Sequence, residues 1–314
     1  MKHFLATAIL SAAFALPAFA ADYTVMAPAA PGGGWDQTAR AIQEALQAEG
    51  ISGNVQVVNV PGAGGTIGLA QFAQQAKGQP NQLIVGGYVM VGAILTNKSP
   101  VTLDNVTPIA RLTGEYEAIV VPTASDIKTL DDLVAKLKAD PGSVSWAGGS
   151  AGGTDHIAVG LVAKAVGVDP TKINYIAFSG GGEALAAILG SQVTAGISSL
   201  GEFRDQIQAG QLRLLAISSG ERIEGFDAPT LKEAGVDVEV QNWRMVAAGP
   251  DLTPEQEAAI NADIEKLVNS ATWQKVLADK GWINTYLAGD AFKAQLAKDN
   301  EATAAILKDI GLAS

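Results

Sequence analysis

Four glycine-rich segments, at positions 31–36, 61–66, 148–155 and 179–183, contain the residues most suited to binding chemistry. Each follows a short apolar run that is typical of a β-strand and precedes a helical pattern. The first turn of a helix leaves backbone N–H groups unpaired, and the helix dipole adds about half a positive charge there. Because glycine lacks a Cβ atom, the backbone can approach a bound molecule closely. These segments therefore predict sites where backbone amides bind an anion.

The elements around these segments must bring them together. The predicted strands cover 23–27, 55–60, 144–147 and 173–178, and the helices that follow them end near 48, 75, 166 and 189. Strands that alternate with helices are typical of an α/β protein, here with two mixed, mainly parallel sheets. Ligands of open α/β sheets bind beyond the carboxyl ends of the strands, where the glycine-rich segments lie. One such turn is consistent with a tight connection alone, whereas two pairs favour two lobes that face each other across a cleft.

The chain start and two extended segments predict the domain organisation. Residues 1–20 combine a basic start at Lys2, an apolar run and a small-x-small motif. This pattern predicts a signal peptide cleaved after Ala20 and a periplasmic protein, with an uncleaved membrane anchor as the alternative. Lobe one is expected to comprise 21–117 plus 248–314, and lobe two 118–247. The extended segments 106–121 and 242–249 would form a two-strand hinge between the lobes.

Composition excludes several classes of function. The chain has no cysteine, which excludes thiol catalysis and thiolate metal sites. His156 is the only histidine after the predicted leader, so the usual zinc sites cannot form, and we expect neither a metal nor another cofactor. The chain has 32 acidic residues against 21 Lys and Arg, with a formal net charge of −11, which argues against nucleic acid as a partner.

Residues 148–152 also fit the G-x-S-x-G pattern of a serine hydrolase, with Ser150 as the nucleophile. In that fold the catalytic histidine comes after the acidic residue, late in the chain. Here His156 lies shortly after the serine on the same predicted helix, and no histidine follows it. An exported serine hydrolase is therefore an alternative that lacks a base.

The role of each side chain near the glycine-rich segments has two interpretations. Trp35 would either wall a pocket or pack in the core. Asp36, Asp155 and Glu183, in first helical turns, would complement the helix dipole or accept an amino or hydroxyl group of the ligand. If Asp36 or Glu183 points into the cleft, an amino-acid ligand gains support. Arg244, on the predicted return strand, would form an ion pair or reach the cleft, where arginine can bind a carboxylate in bidentate fashion.

The glycine-rich motifs resemble those of the substrate-binding receptors of tripartite tricarboxylate transporters, also called Bug receptors. Residues 31–36 look like the first ligand loop of that family, 61–68 like the second and 150–156 like the third. The resemblance covers essentially the whole mature chain. It implies a type II-like Venus flytrap fold, the binding of carboxylates largely through backbone N–H groups, and a two-component membrane permease as partner.

The predicted function is therefore that of a periplasmic, monomeric receptor that captures citrate or another tri- or dicarboxylate for such a transporter. An aromatic acid or an amino acid as ligand, and a sensor that signals to a membrane partner, stay open as alternatives. The predicted ligand-binding residues are Gly33, Gly34, Trp35, Asp36, Ala63, Gly64, Gly65, Thr66, Tyr88, Ser150, Ala151, Thr154, Ser179, Gly181, Gly182 and Arg244.

Overall fold

The computed structural model describes residues 22–313, so the predicted leader and its cleavage site lie outside the described residues. The strands are β1 (Tyr23–Ala27), β2 (Val55–Asn59), β3 (Gln82–Gly87), β4 (Thr107–Pro122), β5 (Ser145–Gly148), β6 (Asn174–Ala177), β7 (Ala195–Ser199), β8 (Leu212–Ile217), β9 (Gln241–Ala248) and β10 (Ile283–Ala288). The helices are α1 (Gly34–Ala48), α2 (Thr66–Gln75), α3 (Tyr88–Thr96), α4 (Leu130–Ala139), α5 (Thr154–Ala165), α6 (Gly181–Leu189), α7 (Leu200–Gln208), α8 (Pro254–Val268), α9 (Ala271–Lys280) and α10 (Gly289–Asp309).

The strands form two sheets that share β4. The first sheet has the order β2-β1-β3-β9-β4-β10. The second has the order β6-β5-β7-β4-β8. Each sheet is the centre of one lobe, which gives the expected two-lobed α/β architecture.

The sheets are mixed, with more antiparallel pairing than the sequence predicts. The strands that lead into the glycine-rich segments pair in parallel, as β1 does with β2 and β5 with β6. Every pair that involves β4 or β9 is antiparallel. These are the strands of the predicted crossings, and they run against their neighbours. Parallel pairing therefore prevails only at the edges that carry the glycine-rich segments.

The long strand β4 links the two lobes. Its first part pairs with β9 and its second part with β7 and β8. All of the paired residues of β9 lie in the first sheet, next to β3. The lobe boundaries at 117/118 and 247/248 stay predictions, and the strand pairing favours an earlier second boundary, near residue 240.

The hydrophobic core is divided between the lobes. One buried cluster surrounds the first sheet and includes Phe72 and Trp273, while another packs against the second sheet around Trp146. The last helix, α10, contributes to both lobes: Phe292 lies in the first-lobe core, and Leu307 packs against Ile157 of α5 in the second lobe. The C-terminal region was expected to pack on lobe one, and the end of α10 reaches beyond it.

Two helices outside the cleft, α4 and α8, begin at threonine caps. The Thr129 hydroxyl accepts a hydrogen bond from the Asp132 amide, and the Thr253 hydroxyl accepts one from the Gln256 amide. The edge strand β10 was not predicted, because its half-exposed side chains lack a regular alternation of apolar and polar residues. None of the helices in residues 22–313 combines the length and the apolar character needed to span a membrane.

Candidate ligand-binding cleft

A cavity of about 280 Å³ lies where the four glycine-rich segments meet. Its wall includes Gly33, Gly34, Trp35, Ala63, Gly64, Gly65, Ser150, Ala151, Ser179, Gly181 and Arg244 from the predicted set. The segments of the first lobe thus face those of the second across one space, as the paired motifs predict.

The helices that begin at this cavity lack side-chain caps. The N-cap residues of α1, α2, α5 and α6 are Gly33, Gly65, Gly153 and Gly180, and because glycine has no side chain, none of these four residues can cap its own helix. By contrast, Thr129, Thr253 and Ser270 cap α4, α8 and α9 away from the cleft. First-turn amides need partners, and a bound anion would supply them. The helices α3, α7 and α10 also lack a side-chain cap, so what distinguishes α1, α2, α5 and α6 is that their glycine N-caps line the cavity.

The second glycine-rich segment has an unusual backbone. Gly64 and Gly65 have φ values of 61° and 86°, and Ala63, which has a Cβ atom, has φ of 48°. The Ala63 carbonyl accepts hydrogen bonds from the Thr66 hydroxyl at 2.9 Å and from the Asn97 amide at 3.0 Å. A non-glycine residue in the left-handed region is strained, and such strain is often found at functional sites. These two side chains therefore hold a strained turn against the cavity.

The two lobes approach each other closely at the cavity. A Cβ atom placed on Gly33 would lie 4.0 Å from the Cα atom of Gly180, and one placed on Gly64 would lie 3.4 Å from the Cβ atom of Ser150. Both pairs join a first-lobe segment to a second-lobe segment. The structure thus has a closed cleft, in which a small molecule would contact both lobes.

The acidic residues in the first helical turns shape their own loops. Each accepts a hydrogen bond from a preceding loop amide: Gly32 to Asp36 (2.8 Å), Gly149 to Asp155 (2.7 Å) and Ser179 to Glu183 (3.1 Å). Neither Asp36 nor Glu183 lines the cavity, whereas Asp155 does. The interpretation that these acids complement the helix dipoles therefore applies to all three residues. Asp155 also lines the cavity.

Asp36, which we predicted as a ligand-binding residue, has structural partners instead. It is 3% exposed, and its carboxylate accepts hydrogen bonds from Arg40 at 3.0 Å and from Asn59 at 2.9 Å. Burial opposes ionisation of this group, but the hydrogen bonds from Arg40, the Gly32 amide and Asn59 outweigh it and lower its pKa. Asp36 thus joins the first glycine-rich segment to β2, which leads into the second.

Besides Asp36, four predicted residues lie off the cavity wall. The Thr66 hydroxyl donates a hydrogen bond to the Ala63 carbonyl, and the Thr154 hydroxyl lies 3.3 Å from the Asn242 side-chain oxygen. The Tyr88 ring lies 6.2 Å from the Trp243 ring. Gly182 is exposed. Threonine hydroxyls that bond within the protein hold the loops from behind. Direct ligand contact by these residues stays a prediction.

His156 has a structural environment. Its Nδ1 atom accepts a hydrogen bond from the Gly152 amide at 3.2 Å, and its ring stacks on Tyr175 with centroids 4.1 Å apart. Burial lowers its pKa to about 4. An imidazole whose Nδ1 is occupied and whose basicity is depressed is unsuited to activate Ser150.

Arg244 is neutralised by the protein itself. Its side chain is 3% exposed and forms an ion pair with Glu115, which is also buried. Its guanidinium lies 5.2 Å from the centre of the Trp282 ring. Arg244 lines the cavity, and it also forms an ion pair, so both predicted roles apply to it. Its positive charge is therefore already matched by the Glu115 carboxylate.

Further wall residues were missed by the sequence analysis. They include Asn97, Ser198, Glu202 and Asn242. Glu202 accepts a hydrogen bond from the Ser198 hydroxyl at 2.5 Å, and the Asn242 amide donates to the Ser199 hydroxyl at 3.1 Å. Glu202 lies in the first turn of α7 after a strand, like the other first-turn acids. A search for acids at strand–helix junctions, without the glycine requirement, would have found it.

The family comparison agrees with this geometry. The model of the tripartite tricarboxylate transporter family receptor, TctC, matches residues 38–312. The chain belongs to this family. It is a solute-binding receptor and not an enzyme, so the hydrolase alternative built on Ser150 is set aside.

Individual relatives cover nearly the whole chain. Protein BugT of Bordetella pertussis is 28% identical across 98% of this chain and 95% of its own length. MatC of Rhodopseudomonas palustris with bound malate has a TM-score of 0.78 and 23% identity, covering 94% of this chain and 99% of its own. A second R. palustris protein, solved with adipate, has a TM-score of 0.78 and 22% identity, with 94% and 98% coverage. The two structures show that the receptors share the two-lobed fold of periplasmic binding proteins.

Proposed function

We propose that this receptor binds a small carboxylate in the cleft and delivers it to the membrane subunits of a tripartite tricarboxylate transporter. One observation carries the proposal: four helices begin at a single cavity, and none of the four has a side-chain cap. Each start offers first-turn amides and partial positive charge, although the Glu202 carboxyl group already accepts a hydrogen bond from the Gly34 amide of α1. A carboxylate satisfies both needs at once.

The cavity and the relatives support this ligand class. A volume of about 280 Å³ is near the lower end of ligand pockets, which suits a metabolite and not a macromolecule. The two R. palustris relatives were solved with malate and adipate, which are both dicarboxylates. Citrate, other tri- and dicarboxylates and aromatic acids are therefore the compounds to test first.

The proposed mechanism follows from the two sheets. In an open state, the ligand carboxylate binds the amides of the first-lobe segments, around Gly33 and Gly64. Rotation about β4 and about the segment near residue 240 that leads into β9 then brings in the second-lobe segments, around Ser150 and Gly180. Hinged closure of this kind buries the ligand from both sides. The closed receptor, exported to the periplasm and monomeric in this proposal, docks on the permease.

A thermal-shift screen tests the proposal. The purified protein, without its leader, is heated with citrate, malate, succinate, adipate, benzoate, aspartate or glutamate. A ligand at 100 times its Kd adds about 2.7 kcal/mol of stability, which raises Tm measurably. The matched controls are the uncharged amides of the same acids, which should give no shift. If no acid shifts Tm, or if the amides act as well as the acids, the proposal is wrong.

A further inference from the structure

The charged side chains of the cavity wall are predominantly acidic. Only Asp155, Glu202 and Arg244 carry charge among the wall residues described. Arg244 is already paired with Glu115. The wall therefore offers no free cation to a dianionic or trianionic ligand, and it places two carboxyl groups beside it.

Glu202 lies between two helix starts and two cavities. Its Oε2 atom lies so close to Gly181, at the start of α6, that a Cβ atom there would collide with it. Burial raises the pKa of Glu202, and a hydrogen bond from the Gly34 amide, at the start of α1, acts in the opposite direction. Glu202 also lines a second, polar cavity of about 320 Å³ behind the wall, together with Gly34 and Arg244. The protein's own carboxylate thus occupies part of the anion-binding capacity of α1 and α6.

A further carboxyl group lies behind the wall without a partner. Glu117 is 1% exposed, and neither of its carboxyl oxygens has a hydrogen-bond partner. Burial raises its pKa well above the usual range, and the neighbouring Asp155, Glu202 and Glu115 raise it further. Burial also raises the pKa of Asp155, to about 7. Four carboxyl groups therefore surround one guanidinium, and the cluster lacks positive charge.

A ligand cation beside Asp155 and Glu202 would favour the ionised forms of these two carboxyl groups, which burial disfavours. Within residues 22–313, no group of three or more His, Cys, Asp or Glu side chains is arranged to hold a metal ion. The cavity, however, places Asp155 and Glu202 on the same wall as the unpaired amides of α2 and α5. A molecule with a carboxylate at one end and a cation near it would satisfy both regions.

We infer that the ligand is an amino-carboxylate whose ammonium group binds between Asp155 and Glu202 while its carboxylate binds the amides of the second and third glycine-rich segments. The inference rests on the proposed function, because it assigns a ligand class to the same cleft. A ligand without the ammonium group would leave the carboxyl groups of Asp155 and Glu202 next to the carboxylate of the ligand, with no cation between them. An added ammonium group supplies the hydrogen-bond donors and the charge that the cluster lacks.

Matched pairs of acids test the inference by isothermal titration calorimetry. Aspartate and succinate differ by one ammonium group, as do glutamate and glutarate, and 4-aminobutyrate and butyrate. We expect the amino member of at least one pair to bind tenfold or more tightly than its partner. Malate, with a hydroxyl in place of the ammonium group of aspartate, separates the effect of charge from that of hydrogen bonding.

Two isosteric variants test whether the negative charges of Glu202 and Asp155 favour binding of the amino-carboxylate. Glu202→Gln and Asp155→Asn each remove one negative charge and keep the side-chain shape. Each should weaken the amino-carboxylate at least tenfold and leave the amine-free acid unchanged or bound more tightly. Glu224→Gln, at an exposed position of the second lobe, is the matched control and should change neither affinity. Thermal unfolding of each variant without ligand checks its fold.

The outcomes separate the inference from the proposed function. If the amine-free acids bind as tightly as the amino acids, or if Glu202→Gln weakens both members of a pair equally, the inference is wrong and the carboxylate receptor stands. If neither type of acid binds to the wild-type protein, both fail. Should both cleft variants fail to fold, the wild-type comparison of the pairs decides the inference alone.

Discussion

Replacement of Gly180 by leucine should block the cleft without unfolding the protein. Gly180 has φ of −176° and ψ of 165°, which is extended backbone that any residue adopts. It lines the cavity, and a Cβ atom added there would meet no atom within 4 Å. A leucine side chain at this position has room to project into the space assigned to the ligand.

The expected effects on stability and on affinity differ strongly. At an N-cap position leucine is less favourable than glycine, by about 1 kcal/mol. Loss of the flexible glycine from the unfolded chain returns about 0.4–1 kcal/mol. The net change in the free energy of unfolding should therefore be within about 1 kcal/mol. A leucine side chain would occupy much of a cavity of about 280 Å³, so we expect the affinity to fall at least a hundredfold, or about 2.7 kcal/mol.

The assay is calorimetric titration with the acid that gives the largest thermal shift, alongside urea unfolding of each variant. Gly182→Leu is the comparison variant, because Gly182, although a predicted ligand-binding residue, lies in the same segment, is exposed and does not line the cavity. It should keep wild-type affinity and gain up to about 1 kcal/mol of stability, because loss of a glycine from a backbone conformation open to other residues reduces the freedom of the unfolded chain. Wild-type affinity in Gly180→Leu, or an equal loss in Gly182→Leu, would refute the assignment of the cavity.

Three further predictions concern residues whose roles the structure changes. Asp36→Asn should lower the free energy of unfolding at pH 7 by about 2 kcal/mol, because it removes charged hydrogen bonds. Since the pKa of Asp36 is lowered in the folded protein, the difference between variant and wild type should shrink as the pH falls through that pKa. Urea titrations that show the same difference at low pH would contradict this prediction. His156, with its pKa lowered to about 4, should stay neutral from about pH 5 to pH 8, so an NMR titration midpoint near the ordinary value of about 6.5 would show that its burial is misjudged. Ser150→Ala should change ligand affinity less than tenfold, and neither it nor the wild type should hydrolyse an activated ester; turnover that depends on Ser150 would reopen the hydrolase alternative.

Local sequence patterns predict the parts of the fold that depend on neighbouring residues. The strand, glycine-rich turn and helix start recur at β1–α1 and β5–α5, and the structure places these junctions within about three residues of their predicted positions. Thr253, with Pro254 and Gln256 after it, marks the start of α8 because a cap needs only nearby residues.

Contacts between distant residues could not be predicted in this way. Asn242 reaches the cavity from β9, and Glu202 reaches it from α7, although neither lies in a glycine-rich segment. Asp36 was assigned to the ligand because it belongs to residues 31–36, which resemble the first ligand loop of the family. Its actual partner on β2, Asn59, is set by strand pairing that no local pattern reveals. The acidic surroundings of Arg244 likewise appear only when β4, α5 and α7 are packed together.

Backbone amides at the starts of the cleft helices, and not cationic side chains, should bind the carboxylate of the ligand. A crystal structure of the receptor with its tightest-binding acid measures this directly. We predict carboxylate oxygens about 2.7–3.2 Å from the amide nitrogens of the glycine-rich segments around Gly64 and Ala151, with Arg244 still paired to Glu115. A carboxylate held by Arg244 alone, or bound outside the cavity with these amides left to water, would contradict the proposed mode of binding.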